Sequence, residues 1–155
     1  MISTNLIARI IKYGIYLCFF SFLIISATTY FPFIVGKYVF FRILVEVLTF
    51  LYIILIILDK SYRPKLSKIF IFLSLFVFFA LLSTVFGADP YRSFWSNYER
   101  MEGFLTLIHY FAFFVIISGV FKEEKDFERG AKAFFIAGAL MVRKVLFMLP
   151  NQYSL

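Results

Sequence analysis

Residues 69–121 read as Ile69–Phe86, IFIFLSLFVFFALLSTVF, then Gly87–Gly103, GADPYRSFWSNYERMEG, then Phe104–Phe121, FLTLIHYFAFFVIISGVF. Two apolar runs therefore flank one short polar segment. A helix needs about 20 apolar residues to cross a bilayer, so each flanking run reads as one crossing and the polar segment as the loop between them. Within the loop Tyr91, Phe94, Trp95 and Tyr98 fall at i, i+3, i+4 and i+7, which puts them on one helical face. Arg92, Ser93, Ser96, Asn97, Glu99 and Arg100 take the other. Asp89 followed by Pro90 is a helix start, because the carboxylate accepts free backbone N–H groups and proline suits the first helical position. The segment is expected to form a short amphipathic helix over about 90–100, lying in the membrane interface.

The rest of the chain extends this reading. Of its 155 residues 63% are hydrophobic and only 16% charged, a balance that a soluble domain of this size does not carry. The 24 Phe and 10 Tyr exceed what a small aqueous core buries, whereas lipid accepts apolar side chains on every helix face. Further runs at 13–35 and 39–58 bring the expected spans to four (13–35, 39–58, 69–86 and 104–121). A partial fifth over 131–149 is cut by Arg143 and Lys144. The first run is too long for a signal-peptide core and reads as a retained signal anchor. The expected fold is all-α: residues 1–155 form a single transmembrane domain of four complete spans, a partial fifth and the interfacial helix.

Charge sets the orientation. Arg9, Lys12, Lys60, Arg63, Lys65, Lys68, Lys122, Lys125, Arg129 and Lys132 lie at the N-terminus and in the second and fourth loops, against Lys37, Arg92 and Arg100 in the first and third. The excess of basic residues marks the cytoplasmic side, so the N-terminus is expected inside and the Gly87–Gly103 loop outside. A net charge of +7 by itself suits nucleic acid, but these residues are spread over short loops between apolar runs, so membrane lipids are the expected partner and nucleic acid is not. Cys18 is the only cysteine, which excludes an internal disulfide and reads as a packing residue.

Several charges sit where charge is expensive. Arg42 and Glu46, at i and i+4 within the second run, share a face and are expected to pair, either as a packing lock or as part of a site. His109 in the fourth span reads either as a proton or phosphate ligand or as a hydrogen bond to a neighbouring helix. No second histidine or carboxylate group accompanies it, so no metal site and no cofactor are expected. Lys37, Arg42, Arg92 and Arg100 all fall near the outer surface, and a bundle that gathers them would present a cleft for an anionic head group. Arg92 and Trp95 serve equally as interfacial anchors. Arg100 is the stronger ligand candidate, with Glu99 and Glu102 placed to orient it.

Phe31-Pro32-Phe33, Gly36-Lys37, Arg42, Glu46, Phe86-Gly87-Ala88-Asp89-Pro90, Ser93-Phe94-Trp95 and Glu99-Arg100-Met101-Glu102-Gly103 together make a pattern. It resembles the N-terminal part of the O-antigen ligase and O-antigen polymerase family of bacterial multi-pass membrane proteins, over roughly Phe31 to Phe121. The resemblance implies a metal-independent glycosyltransferase of the bacterial inner membrane. Such an enzyme moves a glycan from an undecaprenyl-pyrophosphate carrier to an acceptor on the periplasmic side, as in lipopolysaccharide biosynthesis. The outward cations Lys37, Arg42, Arg92 and Arg100 are in the right place to hold that pyrophosphate, with Glu46, Glu99, Glu102, Trp95 and His109 in supporting or structural roles. Family members are longer, and the arginine and histidine usually given catalytic roles lie in a periplasmic loop of their C-terminal half. No catalytic residue is therefore expected here, His109 is not equated with the family histidine, and a truncated or frameshifted product is expected whose missing half would supply further membrane helices. The alternative reading is a small non-enzymatic membrane subunit or assembly factor, in which the charges set only packing and orientation.

Overall fold

Helix-forming apolar runs separated by Pro, Gly, Asp and Ser should give helices with sharp ends, and the computed structural model has that form. It describes residues 4–24, 34–97 and 102–152, with side chains to residue 147. All regular structure among these is helical: α1 (Thr4–Phe19), α2 (Val35–Leu58), α3 (Lys68–Phe86), α4 (Pro90–Trp95), α5 (Phe104–Val120) and α6 (Glu124–Gln152). A 3-10 turn, Phe20–Leu23, continues α1, and another, Lys60–Tyr62, follows α2. Side-chain caps set several boundaries. Asp59 accepts the N–H of Ser61 at 2.8 Å, Ser67 that of Phe70 at 3.1 Å, and Asp89 that of Arg92 at 3.0 Å.

Three helices, Thr4–Leu23, Val35–Leu58 and Lys68–Phe86, are long and apolar enough to cross a membrane. The fourth expected span corresponds to α5, which is as apolar but has 17 residues. The helix over the first run starts at Thr4, nine residues before Tyr13, because Arg9 and Lys12 leave a buried stripe of Ile7, Ile11, Ile15 and Cys18 intact. Nor does the helix of the fifth run stop at Arg143 and Lys144. α6 passes through both, since arginine and lysine are good helix formers, and Lys144 Nζ reaches back to the carbonyl of Leu23 at 2.9 Å.

The core lies between α1, α2 and α5. Ile7, Ile11 and Ile15 meet Val45, Leu48 and Leu55 of α2 and Ile116 and Val120 of α5. α3 packs on α5 through Phe70, whose ring lies 6.1 Å from Phe111 and 6.3 Å from Phe114. α6 packs on α1 through Phe134, 5.8 Å from Phe19 and 6.3 Å from Phe22. The remaining surface is strongly apolar, with Phe50, Ile57, Phe72, Phe79 and Phe86 all exposed. A helix apolar on all sides, as α3 is, needs either a surrounding core or lipid, and the described residues supply no core around it.

Between α3 and α5 the polar segment is shorter in helix than its periodicity predicts. α4 ends at Trp95, where Ser96 takes φ 64° and closes the turn by donating its N–H to the Arg92 carbonyl at 2.8 Å. The expected helix over 90–100 is thus corrected to one of six residues, because a left-handed residue cannot continue a right-handed helix. Tyr98 to Met101 lie outside the described residues. Gly103 then passes so close beneath α4 that a side-chain carbon there would stand 2.8 Å from Ser96 N and nearer still to the Phe94 carbonyl. This contact between backbones requires glycine where α5 begins.

Candidate functional site

α2 and α5 run parallel and in register, and their polar residues meet rung by rung. On α2, Tyr38, Arg42 and Glu46 fall at i, i+4 and i+8, one stripe spanning about 12 Å of helix. Opposite stand Glu102, just before α5, then Thr106 and His109. The Tyr38 hydroxyl donates to Glu102 Oε1 at 3.0 Å, the Arg42 guanidinium to Thr106 Oγ1, and His109 Nε2 meets Glu46 Oε1 at 3.2 Å. Arg42 and Glu46 therefore each reach across to α5, where the sequence predicts a pair within one helix. The reason is geometric: Thr106 and His109 are both buried on the face that α5 turns to α2, and each needs a polar partner there.

The lowest rung carries a proton of its own. His109 Nδ1 lies 2.6 Å from the carbonyl of Leu105, and a carbonyl only accepts, so Nδ1 bears hydrogen. A neutral ring so protonated has no hydrogen at Nε2, and an ionised Glu46 has none either. The contact needs one more proton, held as imidazolium against carboxylate or as a carboxylic acid donating to the neutral ring. The ring is 9% exposed but the Glu46 side chain is 68% exposed, and it opens on a recess of about 400 Å³ lined by Thr49, Phe50, Ile53, Ile108 and Ala112. A glutamine amide can donate to Nε2 without an extra proton. Glu46→Gln is accordingly expected to keep thermal stability in detergent within about 1 kcal/mol of wild type, while Glu46→Leu loses about 1–3 kcal/mol by leaving Nε2 unpartnered. Equal losses in both variants, read by thermal unfolding, would contradict this rung.

The other expected ligands are dispersed. Lys37 stands 5.6 Å from the Tyr38 ring, at an apolar slot of about 240 Å³ lined by Phe22, Phe41, Phe113 and Phe134. Arg92 is exposed on α4 and donates from Nε to Asn97 Oδ1 at 3.1 Å. Trp95 is half exposed, edge-on to Phe94 at 5.2 Å. Glu99 and Arg100 lie outside the described residues. Of the nine residues singled out from sequence, the bundle brings together Arg42, Glu46, Glu102 and His109, and it adds Tyr38 and Thr106. A signal for both additions was present: Tyr38 extends the Arg42–Glu46 spacing by one turn, and Thr106 fills the gap between Glu102 and His109.

A second polar contact lies at the opposite, basic end. Lys12 Nζ meets both oxygens of Asp126, at 2.7 and 2.8 Å, and Asp126 also receives the backbone N–H groups of Lys122 at 3.3 Å and Glu123 at 3.4 Å. Burial alone would raise the Asp126 pKa. The Lys12 ammonium and the backbone donors more than offset this and hold it below the usual carboxylate range. The contact lies 114 residues apart in sequence, beyond the reach of local spacing. Among the described residues no three His, Cys, Asp or Glu side chains gather as a metal site would need. The chain matches no protein-family model, no curated protein sequence and no solved structure.

Proposed function

We propose that the chain corresponds to the N-terminal part of an O-antigen ligase-like membrane glycosyltransferase. Four crossings, α1, α2, α3 and α5, lie in the bacterial inner membrane, with the basic end in the cytoplasm and α4 at the periplasmic surface. The reading is supported first by the residue pattern running from Phe31 through Glu99-Arg100-Met101-Glu102-Gly103. The structural observation that carries it is Arg42, a guanidinium held by Thr106 one turn below the Tyr38–Glu102 contact, at the same end of the bundle as α4 and Gly103.

A guanidinium so held is suited to a diphosphate. In transfer, the acceptor hydroxyl oxygen attacks the anomeric carbon and its proton is released to water, while the bond from that carbon to phosphate oxygen breaks and undecaprenyl pyrophosphate leaves with the added negative charge. Cations that need not reorganise lower the energy of that charge, which is an electrostatic contribution without a metal. In this reading Lys37, Arg92 and Arg100 are further candidate ligands for the donor, and helices from a C-terminal half complete the site.

With the C-terminal half present in the same cell, deleting this chain is expected to abolish glycan transfer and to accumulate the undecaprenyl-linked donor. Under that condition the wild-type chain should restore transfer, whereas Arg42→Ala and Arg100→Ala, expressed at equal level, should not. Full transfer by both variants would overturn the assignment. A non-enzymatic membrane subunit is favoured by one observation, that each rung of the α2–α5 ladder already has a partner inside the bundle. In that case deletion leaves the donor pool unchanged.

A further inference from the structure

At the basic end, α1, α6 and the turn after α2 enclose a cavity of about 520 Å³ that the proposed transfer does not use. On α1, Asn5, Arg9, Lys12, Tyr13 and Tyr16 follow at helical spacing and all line it. Arg129 of α6 closes the other side, with Lys125 and Lys132 one turn away on the same helix face. The charges do not cancel. Lys12 is taken by Asp126 and Glu123 offsets one cation, but among the described residues neither Arg9 nor Arg129 has an ion-pair partner, and both are exposed. Lys122 adds positive charge behind the wall, 3.4 Å over the ring of Tyr62.

Two further features define what would fit. Tyr16 lines the cavity, and its buried hydroxyl has no hydrogen-bond partner in the described structure, so a donor is available beside the arginines. On the membrane-ward side of Arg9 and Lys12, α1 continues as an exposed apolar stripe of Tyr13 and Leu17. Guanidinium groups bind phosphate oxygens with paired N–H bonds, a hydroxyl can serve a third oxygen, and the stripe would lie along an acyl chain. The geometry points to a binding site for the phosphodiester head group of an anionic phospholipid between α1 and α6. It is a basic pocket between helices at the level of the lipid surface. The inference rests on the membrane reading but not on glycan transfer, and its test involves no transfer.

The test is native mass spectrometry of the full chain in non-ionic detergent, with equal amounts of dioleoylphosphatidylglycerol and dioleoylphosphatidylcholine. Retention of the anionic lipid should exceed that of the zwitterionic one by about tenfold, the preference that two arginines near a phosphate supply. The R9Q/R129Q double variant, altered only at exposed positions, should lose the preference while keeping its helical circular dichroism. K65Q/K68Q, which removes as much charge outside the cavity, should keep it. No preference in wild type, an equal drop in both variants, or survival of the preference in R9Q/R129Q would each overturn the site. Displacement of the lipid by millimolar inorganic phosphate would assign the pocket to a soluble phosphate and overturn the lipid.

Discussion

Replacing Asp126 with alanine is expected to destabilise the bundle by about 2–4 kcal/mol, somewhat below the 3–5 kcal/mol typical of breaking a fully buried pair. The discount follows from the geometry, since the Asp126 side chain is 3% exposed but that of Lys12 is 27% exposed and regains some water. Besides the ammonium, the variant strands the N–H groups of Lys122 and Glu123 at the entry to α6. Thermal unfolding in detergent measures the loss. The double variant with Lys12→Met should recover part of it, because removing both charges restores a neutral contact. The effect has a pH window. The carboxyl is held below its ordinary value when folded, so its stabilisation is complete above about pH 4, the unfolded carboxylate range, and fades as pH falls through the lowered folded value. The gap between wild type and Asp126→Ala should therefore be flat from neutral pH to about pH 4 and close below it. A gap that widens on acidification would contradict the sign.

Gly119→Ala is the second change expected to act strongly. The Tyr52 hydroxyl donates to the carbonyl of Tyr62 at 2.8 Å, and this bond ties α2 to the turn that follows it directly over Gly119. A methyl group there would stand 2.6 Å from the Tyr62 carbonyl oxygen and 2.8 Å from Tyr52 Cζ, with the hydroxyl oxygen closer again. Tyr52 is 4% exposed and packed in the core, and the other obstacle is backbone, so neither yields easily. Overpacking and a strained hydrogen bond together should cost about 2–4 kcal/mol. Gly138→Ala is the control, since nothing lies near it, and it should be neutral or slightly stabilising in α6. Unfolding midpoints of the two variants that coincide would count against the close approach.

Much of the fold is legible along the chain. The runs ending at Leu58, Phe86 and Val120 show as helices because apolar length, Ser67 and Asp89 caps and Gly103 are local signals. Hydropathy alone fails at three places, each for a physical reason. It starts α1 too late, because a helix tolerates Arg9 at an exposed position and Lys12 paired with Asp126. It interrupts α6 at Arg143 and Lys144, although both are good helix formers and Lys144 has a carbonyl to serve. It extends α4 past Trp95, because periodicity does not register the left-handed turn at Ser96.

The site divides in the same way. Charged and polar residues at fourfold spacing mark the inner faces of α2 and α5, and Arg42, Glu46 and His109 are visible there as groups needing partners. Helical spacing names only neighbours on the same helix, which is why it pairs Arg42 with Glu46. Packing brings α5 alongside α2 in parallel register and hands Arg42 to Thr106 and Glu46 to His109. It likewise joins Lys12 to Asp126 and encloses the cavity between Arg9 and Arg129. The chain alone established that these are apolar helices with a polar segment between two of them. Which polar groups meet depended on how the helices dock, because the partners are 63 to 114 residues apart and no local rule spans that distance.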